Sequence, residues 1–101
     1  MNYIDTLAAE IRHQVPARLL PDGDTDALFR LYAVLLRVKG EGVSIEDVHD
    51  AWSAWMSATD ADHPALRPYR ELSPATRASD VPYVEAIRAV ACAHASGAAS
   101  S

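Results

Sequence analysis

No stretch of the chain alternates apolar and polar residues, whereas four stretches repeat apolar residues at helical spacing. Such spacing gathers side chains on one face of a helix and leaves no material for a half-buried strand. The sequence therefore predicts an all-α fold: a single small four-helix domain. The first stretch carries Ile4, Leu7, Ala8, Ile11 and Val15; it follows Asn2, a good N-cap, and stops at Pro16, which cannot continue a helix. The second begins at Asp24 or Thr25 and ends at Lys39, with Gly40 as its C-terminal stop. Its apolar residues go nearly all round, as expected of a central helix. Leu31 and Leu35 are assigned to the core with Val48, Trp52 and Ile87.

In the third, Ser44 and Asp47 form a capping-box pair, and Val48, Trp52, Trp55 and Met56 make a heavy face. Ser73-Pro74 reads as N-cap and first residue of one short turn. Asp80 caps the last helix, which turns Tyr83, Val84, Ile87, Val90 and Ala91 inward. Between the first two helices, Leu19 and Leu20 are expected to plug the core. The domain is expected over 1–96, with 97–101 a disordered tail.

A chain of 101 residues suits one domain. Half its residues are apolar and 23% are charged, so a core can form without staples. The net charge of −5 argues against a nucleic-acid backbone as partner. Cys92 is the single cysteine, so no internal disulfide forms. The N-terminal residues lack a basic region followed by an apolar run, and the most apolar segment, "LYAVLLRV", is too short to cross a bilayer. A cytoplasmic, soluble protein without a membrane partner is expected.

Catalytic signatures are missing. "DGDTDA" opens like a calcium loop, but Ala27 and Ala33 stand where Gly and Glu are needed, so it reads as a turn with helix-capping acids. The four histidines form no compact ligand pair, and Asp60, Asp62 and His63 make at most a weak metal cluster. Cys92 and His94 diverge on a helix. No nucleophile elbow, P-loop or dinucleotide fingerprint occurs. The chain is expected to be no enzyme and to need no cofactor or metal.

The unusual segment is "HPALRPYREL", His63 to Leu72. Pro64 and Pro68 fix their own φ and push His63 and Arg67 towards extended backbone. The expected result is an extended Pro-containing strap between the third and last helices, docking Leu66, Tyr69 and Leu72 on the Trp52/Trp55 face. Tyr69 is expected beside one of those tryptophans, with its hydroxyl on a polar partner. The plain reading is a core-sealing strap. The functional reading makes its rim a ligand or partner site, with His49, His63, Arg67 and Arg70 around it and Trp52 and Tyr69 beneath. Aromatic faces offer stacking, and arginines offer planar donors to carboxylate or phosphate.

The order His49, Trp52, His63-Pro64, Leu66, Pro68-Tyr69, Leu72 and Asp80 resembles the ryanodine receptor repeat domain over about 44–91. This chain lacks the Gly-Trp and Tyr-Gly hairpin that the repeat carries before its His-Pro. Short proteins of this overall type also look similar to actinobacterial and actinophage ones, in keeping with the preference for Arg over Lys. The resemblance implies a non-enzymatic binding or adaptor module, in a bacterial or phage conflict context. The alternative is a sensor of a small anionic, nucleotide-like ligand; a divergent enzyme stands behind both. Another protein or a small anion is the expected partner, and spare apolar faces on the second helix leave room for a homodimer.

Overall fold

Each helix begins where local capping chemistry dictates. The computed structural model describes residues 2–20 and 23–100, with side chains as far as Ala95. Helix α1 spans Tyr3–Gln14, and the Asn2 side chain accepts from the Asp5 amide at 2.9 Å. Helix α2 spans Asp26–Lys39. Thr25 occupies its N-cap position but makes no side-chain cap; the Asp24 carboxylate takes that role, accepting from the Asp26 amide at 3.0 Å. Gly40 closes α2 at φ 57°, a region that glycine enters without a Cβ penalty.

Helix α3 spans Ile45–Thr59 behind the Ser44/Asp47 capping box, with both reciprocal bonds made. The Ser44 amide, donating to the Asp47 carboxylate, holds that group below its usual range. The one-turn helix α4 spans Pro74–Ala78 behind Ser73, and α5 spans Val81–Ser100. The tail expected over 97–101 falls where side chains, and Ser101 altogether, lie outside the described residues.

Helix α2 lies at the centre, against α1, α3 and α5, and α5 also packs on α1 and α3. Leu7 and Ile11 of α1, Leu28 and Phe29 of α2, Val48 of α3 and Ile87 of α5 are essentially solvent-free. Among the described residues there is no strand, and the architecture is a small all-α domain of four main helices. Arg88 of α5 donates through Nε to the Val43 carbonyl at 2.9 Å, pinning the α2–α3 link.

Three packing expectations need correction. Leu31 is only partly buried, Leu35 is partly buried but packs against the core, and Val34 and Val38 are 47% and 73% exposed. Helix α2 therefore has an open side, where no helix covers it among the described residues. Leu20 packs against the core, but Leu19 is exposed. Trp52 packs against the core but is only partly buried.

That strap is a series of tight turns rather than an extended strip. The amides of His63, Leu66 and Arg67 bond to the carbonyls of Asp60, His63 and Ala65, and a 3₁₀ turn follows over Tyr69–Glu71. Leu72 is its one buried hydrophobic side chain. Among the described residues, no helix is long and apolar enough to cross a membrane.

Candidate functional site

The capping box sets the register of α3 and so decides which side chains face the strap. His49 and Trp52, three residues apart, share that face. His49 is only 2% exposed. Its Nε2 lies 2.6 Å from the Arg67 carbonyl. A carbonyl only accepts, so Nε2 carries a proton and donates to it. The bond fastens the middle of the strap to α3. The Ser53 hydroxyl lies 3.4 Å from the same nitrogen.

The other ring nitrogen, Nδ1, points at Asp80, with 3.7 Å to Oδ2. That is too long for a direct hydrogen bond. Asp80 immediately precedes α5, and its backbone carbonyl accepts from the Tyr83 and Val84 amides. Its carboxyl is pushed above the usual range by burial, which the neighbouring His49 partly offsets. Asp80 was expected to cap α5; its side chain makes no hydrogen bond among the described residues and faces His49 instead.

Aromatic rings surround the pair. Trp52 stacks on His49 with centroids 5.7 Å apart, Tyr69 lies 6.2 Å from His49, and His63 meets Trp52 edge-on at 5.1 Å. His63 is oriented by its Nδ1, which accepts from the Ala65 amide at 3.1 Å. Between α3, the strap and the start of α5 lies a cleft of about 430 Å³, lined among others by Leu19, His49, Trp52, His63, Asp80 and Tyr83. Tyr83 donates its hydroxyl to the Leu19 carbonyl at 2.6 Å, which fixes the ring as one wall.

Of the six residues singled out from the sequence, the cleft brings together His49, Trp52 and His63. Tyr69 lies behind His49 rather than beside either tryptophan, under the Arg77 guanidinium at 5.3 Å. Its hydroxyl has no hydrogen-bond partner among the described residues. Arg67 and Arg70 are exposed and do not line the cleft. Arg67 borders a separate groove on the strap with Glu71 for company. Both arginines contribute backbone carbonyls instead, to His49 and to Arg77 respectively.

Asp80, Tyr83 and Arg77 were not singled out as site residues. Asp80 follows His49 by 31 positions, and no local pattern joins them. Arg77 had one local hint: it falls on the short α4, one turn after the Ser73-Pro74 start, facing back along the strap. Among the described residues, no three His, Cys, Asp or Glu side chains are placed to hold a metal. Asp60 accepts from the Asp62 amide within its own turn, and His94 pairs with Glu10 at 2.7 Å.

A family model described as Domain of unknown function (DUF7701) matches residues 2–92. The chain belongs to that family. The match takes in α1 as well as the strap, so it treats as one unit what the ryanodine receptor repeat resemblance covered only from residue 44 onwards. No curated protein and no solved structure matches the chain.

Proposed function

We propose that the protein is a non-enzymatic binding module whose cleft, between α3, the strap and the start of α5, receives a small molecule. The observation that carries this reading is the cleft itself. Its volume of about 430 Å³ lies in the range of small-molecule sites. Its walls are largely apolar and aromatic, with a single nearly buried polar pair, His49 and Asp80, to orient a guest. The resemblance of 44–91 to the ryanodine receptor repeat supports a module that binds rather than catalyses, and a bacterial or phage conflict role remains part of that proposal. The anion reading needed Arg67 and Arg70 to converge over Trp52; with both outside the cleft, it has lost its donors.

A second reading, contact with another protein or a second copy, rests on the open side of α2, where Val34 and Val38 are exposed beside Tyr3. One experiment separates the two. Ring-sized fragments are screened by two-dimensional NMR against the intact chain. Saturable shifts at Trp52, His63 and Tyr83 support the cleft, and shifts confined to α2, or none, defeat it.

A further inference from the structure

On the small-molecule reading above, on which the assignment of a ligand class rests, the walls of the cleft also select the charge of the guest. The His49 Nε2 proton is committed to the Arg67 carbonyl at 2.6 Å. A neutral His49 therefore presents a lone pair at Nδ1, facing Asp80 Oδ2 across 3.7 Å. Two acceptors then oppose each other with no donor between them. One nitrogen bearing two N–H groups can bridge that gap at about 2.8 Å from each acceptor. Asp80 is 8% exposed, and its carboxylate makes no side-chain hydrogen bond among the described residues; it faces only His49, at 3.7 Å. Buried charges are normally paired.

The remaining walls agree. Trp52 and Tyr83 line the cleft, and aromatic rings attract organic cations through their negative faces. Among the described residues, Asp80 is the one acidic side chain on the cleft, and no arginine or lysine lines it. The amides at the start of α5 work in the opposite direction, since a helix N-terminus favours anions. Two of them, those of Tyr83 and Val84, are already turned to the Asp80 carbonyl. A proton on Nδ1 would occupy the same gap, so an incoming cation displaces it.

We propose that the cleft binds a small organic ammonium, a protonated primary or secondary amine on an apolar ring-sized body, with its nitrogen between Asp80 Oδ2 and His49 Nδ1 and its body against Trp52 and Tyr83. The ligand class is thus opposite in charge to the nucleotide-like anion expected from the sequence.

The test uses the full chain and three probes of matched size: phenethylammonium, its N-trimethylated form and phenylacetate, titrated by NMR while following Trp52 and Tyr83. Phenethylammonium is expected to bind at least about tenfold more tightly than phenylacetate. Asp80→Asn, checked as folded in the same spectra, is expected to remove that preference, while Arg70→Ala on the strap's outer side leaves it unchanged. Equal binding of phenylacetate, or an unaffected preference in Asp80→Asn, overturns the ammonium assignment and leaves the cleft reading standing. Equal binding by the trimethylated probe overturns the bridging of two acceptors. Absence of cleft shifts with all three probes, and with a wider set of neutral fragments, overturns the cleft reading itself.

Discussion

Around α1, α2 and the middle of α5, closure is apolar: Leu7, Ile11, Leu28, Phe29 and Ile87 meet with at most 1% exposure each. Within the strap, by contrast, only Leu72 is buried, and the segment is held by a few hydrogen bonds at named points. Chief among these is the bond from His49 Nε2 to the Arg67 carbonyl, followed by Arg77 donating to the Arg70 carbonyl. Apolar contact is spread over many atoms and non-directional, so losing one methyl group weakens it by degrees. A polar latch depends on geometry and fails when one donor goes. The strap side is therefore the part of the molecule that can yield without the rest unfolding, as binding regions commonly do.

Mutations can break this contrast. The largest effect is expected from Phe29→Ala, a loss of about 4 kcal/mol in urea unfolding, because the ring is fully buried against Tyr32 and Tyr83. A loss below about 1 kcal/mol would contradict the apolar account of that side. His49→Ala comes next, at about 3 kcal/mol, since it opens a cavity and orphans the Arg67 carbonyl. Amide exchange should accelerate over 63–72 far more than in α1 and α2; equal acceleration everywhere would merge the two regions into one. Trp52→Ala should cost about 2 kcal/mol, less than for a fully buried tryptophan, because one side of the ring lies on the cleft.

Asp80→Asn sharpens the comparison through its sign. Burial raises the Asp80 pKa in the folded state above the ordinary 3.8. The folded state therefore holds the proton more tightly than the unfolded chain, and this contribution to stability is lost as pH rises through the folded pKa. Removing the charge is expected to raise the melting temperature at neutral pH, and the gain should shrink as pH falls towards 3.8. A variant less stable than the parent at neutral pH would mean that the attraction of His49 outweighs desolvation. The smallest effect belongs to Tyr69→Phe, under about 0.5 kcal/mol, because the hydroxyl has no partner to lose.

The helix boundaries were legible because capping is local chemistry. Asn2 with Asp5, Ser44 with Asp47, Ser73 with Pro74 and the positive-φ Gly40 all act within four residues of the backbone groups they satisfy. The open side of α2 was not legible. A helix apolar nearly all round does not say which side lacks a neighbour, and Val34 and Val38 differ from Leu36 only in what packs over them. At the site, the sequence pointed to His49, Trp52 and His63, whose spacing and flanking proline are local. That Arg67 and Arg70 lie outside the cleft was not legible, because alternating turns, not an extended backbone, decide where their side chains go. Asp80 and Tyr83 entered only through tertiary packing, across 31 and 64 residues from their respective partners His49 and Leu19.

Tyr83 belongs to both regions. Its ring lies 5.6 Å from Tyr32 and 6.3 Å from Phe29 on the core side, and it also walls the cleft. Burial and the nearby Asp80 charge both raise its pKa, so the phenol stays neutral and keeps the proton it donates to the Leu19 carbonyl. A guest leaning on this ring touches a residue whose other neighbours melt only with the whole domain. Occupancy is then registered by the thermal transition of the entire chain, rising with the logarithm of guest concentration above its dissociation constant. The tyrosine makes a local binding event readable as a global one.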